Sequence, residues 1–415
     1  FVQNITDIDD KIINKANDEG VSWQEIVRRY TDSYHERLEM LGIGLPDVEP
    51  LATEHIPEMI SLIEELIEKG HAYAPSEANG DVYYAVESFP DYGALSHQRP
   101  EEMRETERGR TGFKRSPLDF TLWKGSKPGE PSWESPWGPG RPGWHIECSA
   151  MVSKHLPDGA DVHGGGTDIR FPHHENELAQ SAAAHPDHPF VRAWAHHGMV
   201  TLASGKMAKS VGNVLDVQRA VDIHGRNAVR MWLLQSHYSQ PIEYSEEILE
   251  EKRRSYVRLS RLHRQIEKAT SSSEMSDQIA AWLRERFDTA MRDDLNTPEA
   301  IAALFEAARQ AGHEISVYPE TAETFASLAE AIEEIMTIFG FDFAEEFSST
   351  LSGVQVWHEE TPDERPNDAI VRRVVERERA RLAKDWLLAD RLRDELYAEG
   401  WLVADTPRGP FVSRR

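Results

Sequence analysis

The hydrophobic pattern of this chain changes period twice, so neither an all-helical nor an all-β architecture accommodates it. Up to about residue 70 the pattern is helical. Ser22 and Glu25 form a capping box ahead of Ile26, Tyr30, Tyr34 and Leu38, and Gly42 stands where that helix should stop. A further helix carries Ile56, Met59, Ile60, Ile63 and Leu66 toward Gly70. Then the period shortens: Asn79-Gly80 ahead of Asp81 to Val86 is a hairpin signal, and the stretch to about Pro142 is rich in Gly, Pro and Trp. This predicts a mixed β insertion over 71–140. From Ser245 the helical period returns and predicts helices at 246–268, 276–292, 298–314 and 321–338, the third with Thr297 as cap and Pro298 in its first turn. A polar stretch, 345–366, reads as a linker before a charged helix near 367–396 and a short tail.

A chain of 415 residues exceeds one ordinary core, which excludes a single small binding module. Its longest apolar runs are a few residues, against the roughly 20 that a membrane helix needs. The one cysteine, Cys148, has no intramolecular partner for a disulfide, and no apolar leader opens the chain. A cytoplasmic location is therefore expected. The net charge is −26, from 72 acidic against 46 basic residues, of which only 12 are lysine. Such a field repels polyanions at low salt, unless salt screens it within the roughly 3 Å Debye length of a 1 M solution. The charge reads as a solvated acidic surface suited to a salt-rich, halophilic cytoplasm.

Three motifs between Trp144 and Asn213 carry chemistry. In Phe171-Pro-His-His-Glu-Asn-Glu177, Pro172 suits a helix start, and His173 and Glu177 at i and i+4 share one face. With Cys148 they offer imidazole, carboxylate and thiolate, all zinc ligands, although an isolated pair of this spacing is usually a plain exposed one. In His163-Gly-Gly-Gly-Thr-Asp168 the glycines let backbone amides approach a ligand closely, and the acid after them suits ribose hydroxyls or an ammonium group. The same triplet also serves as a simple turn. In Gly205-Lys-Met-Ala-Lys-Ser210, two of the chain's twelve lysines fall within four residues, as a triphosphate clamp requires.

Together with Gly140-Arg-Pro-Gly-Trp-His-Ile-Glu-Cys148, Asn4-Ile-Thr-Asp-Ile-Asp-Asp10, Gly129-Glu-Pro-Ser-Trp133 and Asp294-Leu-Asn-Thr-Pro298, these motifs stand in the order found in cysteinyl-tRNA synthetases. The tail, with Ala383-Lys-Asp-Trp386 and Asp405-Thr-Pro407, fits as well. The chain is similar to that family along nearly its whole length. The resemblance implies an α/β class I catalytic domain, a doubly wound parallel sheet split by a mixed β insertion, followed by a mainly α-helical anticodon-binding region. The corresponding boundaries are 1–70 and 141–225 for the catalytic halves, 71–140 for the insertion, 226–245 for a stem-contact region, 246–344 for the anticodon-binding bundle, 345–366 for the linker and 367–415 for a small C-terminal domain.

The resemblance further implies one zinc ion per chain, which takes the thiolate of substrate cysteine, with Cys148, His173 and Glu177 as its protein ligands. A fourth ligand, a cysteine ahead of a His-Ile-Gly-His type motif, is expected upstream of Phe1 together with that motif. Trp144, Thr6 and His163 are expected around the amino acid, and Gly165, Gly166 and Asp168 with Lys209 around ATP. Lys206 and Lys209 match the catalytic phosphate-binding loop, which departs from the family at Ala208, where serine is usual. ATP with magnesium, L-cysteine and cysteine tRNA are the expected partners of a monomer with no membrane attachment. Two other readings stay open: a non-catalytic tRNA-binding paralogue, and a cysteine ligase of thiol biosynthesis on the same catalytic core. The second lacks the extended anticodon-binding portion, which 246–415 supplies here.

Overall fold

Asp9 opens the first helix by accepting from the Lys11 amide, and Gly20, at φ +68°, closes it, so α1 spans Asp10–Glu19. The computed structural model describes residues 1–76, 79–98, 113–202, 216–341, 347–351, 354–358, 366–406 and 409–414. Two units emerge: Phe1–Glu36 with Gly44–Met199, and Arg37–Ile43 with Val200–Arg415. Among the described residues no helix is long and apolar enough to cross a membrane.

In the first unit the capping box of α2 (Trp23–Met40) is half formed. Ser22 Oγ accepts from the Glu25 amide at 3.2 Å, while the Glu25 carboxylate turns to Arg28 at 2.8 Å. Only Ile26 of its apolar stripe is buried, and Tyr30 is exposed. By contrast α3 (Ile56–Glu68) buries Ile56, Met59, Leu62, Ile63 and Leu66. The four strands β1 (Ala72–Tyr73), β2 (Val82–Tyr84), β3 (Phe120–Gly125) and β4 (Gly140–Pro142) form one antiparallel sheet in chain order. That sheet shares its core with α3, α4 (Trp144–His155) and α5 (Glu175–Ala184), through Val82, Tyr84, Leu122, Trp123, Ile146 and Ala179.

Parallel pairing lies around α5. Strand β5 (Ala160–Gly166) pairs in parallel with β6 (Val191–His197), and α5 provides the crossover. Val2 with Val48 and Ile5 with Leu51 make further parallel bridges. The second unit opens with β7 (Val200–Leu202), α6 (Val217–His224), α7 (Arg226–Leu234) and β8 (Ile242–Tyr244), where β7 and β8 are again parallel.

Next come four long helices, α8 (Glu246–Ile266), α9 (Glu274–Arg292), α10 (Thr297–Val317) and α11 (Ala326–Ile338), around one apolar core. The cap of α10 differs from expectation: Asn296, not Thr297, accepts from the Glu299 amide, at 3.2 Å. Thr297 is already helical, and its hydroxyl donates instead to the Leu234 carbonyl at 2.7 Å.

Two further expectations are corrected. The stretch 345–366 contributes β9 (Phe347–Leu351) and β10 (Val354–His358), which join β12 (Gly409–Arg414) and β11 (Trp401–Thr406) in a sheet ordered β11-β12-β10-β9. Among its described side chains Val356 and His358 are buried, and Val354 packs against the same core. The charged helix of 367–396 is two helices, α12 (Asp368–Leu382) and α13 (Trp386–Ala398). Lys384, at φ +61°, breaks the run, and Asp385 restarts it by capping the Leu388 amide.

Candidate active site and metal centre

Each residue of the His-His-Glu-Asn-Glu stretch has a separate task. A turn at Arg170–His174 leads into α5, which places His173, His174 and Glu177 side by side and buried. Glu175 accepts from the amides of Gly93 and Ser96 at 2.8 and 2.7 Å, and Asn176 accepts from the Tyr92 hydroxyl at 2.5 Å. These bonds tie α5 to the segment between β2 and β3. Gln180 fastens it to α4, donating to the His145 carbonyl at 2.9 Å and to Ser149 Oγ at 3.0 Å.

The ligand atoms of Cys148, His173 and Glu177 consequently lie within 4.8 Å of one another. His173 Nε2 is 3.0 Å from Glu177 Oε1, and His163 Nε2 is 3.4 Å from Oε2. Both Glu177 oxygens are buried, yet neither accepts a well-aligned hydrogen bond. Imidazole nitrogens and carboxylate oxygens converge there without the aligned geometry of an ordinary hydrogen bond. This donor set, two nitrogen or oxygen ligands and one sulfur, fits a zinc ion. His163, His174 and Glu177 form a second convergent set that shares Glu177.

Burial pushes the Cys148 thiol well up, and the Glu177 and Glu147 carboxylates add to that. Burial opposes ionisation of Glu177 too, but contact with His163 and His173 outweighs it and holds this carboxyl well below its usual range. Burial lowers His145 to about 3 and His174 to about 4, so both rings are neutral near pH 7.

The Trp144 ring stacks on His173 at 4.2 Å between centroids. His163 meets His174 edge-on at 4.8 Å and Trp194 at 5.1 Å. Thr6 accepts from Asn4 Nδ2 at 3.3 Å, a contact within its own motif. Nearby, Asp10 is paired with Lys124 at 2.7 Å and with the buried Arg141, which joins the first motif to Gly140-Arg-Pro-Gly-Trp144. The glycines have packing duties: a Cβ on Gly165 would stand 2.6 Å from Ile169 Cδ1 and 2.7 Å from His174 Cε1, and one on Gly166 would stand 2.3 Å from Asp168 Oδ1. Lys206, Ala208 and Lys209 lie outside the described residues.

The sequence reading missed His145, His174, Trp194 and His196. His174 Nδ1 lies 2.9 Å from His196 Nε2, and the Trp194 and His196 rings stack. The available signal was the period-2 spacing of Trp194 and His196, which puts both on one face of a strand.

The helix-coupled parallel pair and the imidazole–carboxylate–thiol cluster both fall within residues 1–254, which match the family model of the tRNA synthetases class I (C) catalytic domain and so place the chain among the class I tRNA synthetases. Residues 286–344 match that of the DALR domain. The fold is shared with the Mycobacterium tuberculosis methionyl-tRNA synthetase in complex with methionyl-adenylate, at TM-score 0.62 and 17% identity over 82% of each chain. The chain belongs to the cysteine--tRNA ligases. It is 70% identical to the cysteine--tRNA ligase of Rubrobacter xylanophilus over all of this chain and 87% of that relative. It is 43% identical to that of Thermodesulfovibrio yellowstonii over 98% of this chain and 85% of the relative.

Proposed function

We propose that this chain selects L-cysteine through a zinc ion held by Cys148, His173 and Glu177, activates it with ATP and transfers it to cysteine tRNA. The amino-acid carboxylate attacks the α-phosphate of ATP, giving cysteinyl adenylate and pyrophosphate, and the terminal adenosine of the tRNA then takes the cysteinyl group. The observation that carries the zinc reading is the pair of buried Glu177 oxygens that face imidazole nitrogens yet accept no aligned hydrogen bond, with the Cys148 sulfur within 4.8 Å.

Bound zinc favours a thiolate strongly over a hydroxyl, which supplies the discrimination against serine that a pocket relying on size does not. The chain's own residues do the rest. Trp144, stacked on His173, walls the pocket with Thr6 and His163 nearby. Gly165, Gly166 and Asp168 border the ATP side, with magnesium accompanying the nucleotide. Lys206 and Lys209 neutralise the charge growing on the departing pyrophosphate. The tRNA is read by the 226–245 region, the 246–344 bundle and the 367–415 domain, in a cytoplasmic monomer whose acidic surface suits high salt. The thiol-biosynthesis and non-catalytic readings lose ground because the ligases matched also cover the bundle and tail.

The test is metal analysis with cysteine-dependent pyrophosphate exchange on the intact enzyme and on Cys148→Ser, His173→Ala and Glu177→Ala. Each variant should lose zinc and cysteine affinity, Cys148→Ser most severely. Full zinc occupancy with unchanged cysteine affinity in all three would refute the assignment.

A further inference from the structure

The helical bundle carries a second built feature, on elements that supply no residue to the metal cluster. Although the chain is acidic overall, residues 252–266, all on α8, hold six Lys and Arg residues and no Asp or Glu. Most arginines of the bundle spend their charge on neighbours: Arg253 and Arg254 on Glu250, Arg284 on Glu334, Arg286 on Glu299, and Arg309 on Glu306. Arg258 and Arg261 do not. Among the described residues neither pairs with a carboxylate, and Arg258 reaches only the Ser255 hydroxyl, at 3.4 Å. In a chain with 72 acidic residues, two exposed guanidiniums left unpaired one helical turn apart are a departure from its own pattern.

Both line the same cleft of about 490 Å³, between α8 and α10, floored by Leu262, Phe305 and Gly312. Gly312 sits in the interior of α10, where glycine costs about 0.5–1 kcal/mol relative to alanine. Its neighbours do not require the absence of a side chain, since a Cβ there would meet only Leu262 Cδ1, at 4.0 Å. What a methyl group would take up is space in the cleft.

We propose that this cleft is a nucleotide-binding subsite for tRNA, with Arg258 and Arg261 holding a phosphodiester and an unpaired base lying over Phe305. The proposal rests on the tRNA-ligase reading. The volume accommodates one nucleoside, a guanidinium fork matches phosphate oxygens, and an aromatic floor offers stacking to any base. An acidic peptide helix also complements the charge. RNA fits better, because the lining sets a ring, Phe305, on which a base can stack beside the two guanidiniums that match a phosphate.

The experiment measures binding of a cysteine-tRNA transcript across a salt series, with wild type, Arg258→Gln/Arg261→Gln and Gly312→Ala, each checked by thermal unfolding. The double variant should bind at least about tenfold more weakly, and the slope of log affinity against log salt should fall by about 0.7 to 1. Gly312→Ala should unfold at a higher temperature than wild type yet bind tRNA several-fold more weakly, a combination that a purely structural role does not produce. Unchanged affinity and slope in folded variants would overturn the subsite. So would variants that lose binding to polyglutamate while keeping tRNA affinity, which would assign the cleft to an acidic protein segment. Wild type separately tests the underlying reading: if it binds no cysteine tRNA at any salt, that reading falls, whereas wild-type binding with indifferent variants removes only the subsite.

Discussion

His173 Nδ1 lies 2.9 Å from His145 Nδ1, so one ring must donate to the other. His173 Nε2 faces Glu177, so a ligating Nε2 lone pair places the proton of His173 on Nδ1, and His145 is the acceptor. His145 thereby fixes both tautomer and ring orientation of a candidate metal ligand.

His145→Ala is therefore expected to weaken zinc retention by about 10- to 100-fold without removing a ligand. Competition against a chromogenic chelator measures it. Retention equal to wild type would show that His173 is oriented by Trp144 stacking alone. Partial recovery in His145→Asn, whose side-chain oxygen also accepts, would support the hydrogen bond as the cause.

Arg230 makes the second testable contact. It donates to the Phe339 carbonyl at 3.0 and 2.5 Å and to the Leu41 carbonyl at 2.8 Å, satisfying carbonyls at two helix ends. Gly340, at φ +67°, makes this possible, since a Cβ there would lie 2.2 Å from Arg230 Nη2. Gly340→Ala should cost about 1–3 kcal/mol, and Arg230→Met at least about 1 kcal/mol, in urea unfolding. The two effects should be less than additive, because either substitution disturbs the same contact.

How much of this was legible depends on the range over which each signal acts. Local chemistry was readable: the Ser22 cap, the apolar face of α3, the four bundle helices and the shared face of His173 and Glu177 follow from spacing, whereas Cys148 joined them only through the family resemblance. Failures came where a partner distant in sequence decides. Spacing points to Thr297 as the cap, and nothing local shows that the Leu234 carbonyl claims its hydroxyl. The strands at 347–358 read as linker because β12, which pairs with β10, lies some fifty residues later. His145 and His196 were overlooked because each gains meaning only opposite another imidazole.

Acid should weaken the bundle through Glu250. Its hydrogen bonds to Arg253, at 2.7 and 2.6 Å, outweigh burial and pull its pKa from 4.5 down to about 2. A carboxyl depressed in the folded state contributes stability above its unfolded pKa, and that contribution disappears as pH falls through the folded value. The expected loss therefore falls between about pH 4.5 and about 2. Urea midpoints compared across that window should decline more steeply for wild type than for Glu250→Gln. Parallel slopes would mean that Arg253 is equally well paired in the unfolded chain.

Gly165 separates two explanations of the glycine triplet. If Gly165 serves close approach of ATP to the backbone, Gly165→Ala should raise KM for ATP and leave cysteine handling alone. The packing argues for the other outcome. The added methyl would press on His174 Cε1 at 2.7 Å and on Ile169 Cδ1 at 2.6 Å, and both are held, His174 by its bond to His196 and Ile169 by the turn into α5. The easiest release moves the His174 ring toward Glu177, its neighbour at 4.0 Å, and so disturbs the carboxylate that faces His163 and His173. Gly165→Ala should then lower zinc content and raise KM for cysteine roughly tenfold or more, with KM for ATP little changed. Pyrophosphate exchange with each substrate varied in turn decides between them. A rise confined to ATP would return Gly165 to the nucleotide side and leave the clearance of His174 without functional weight.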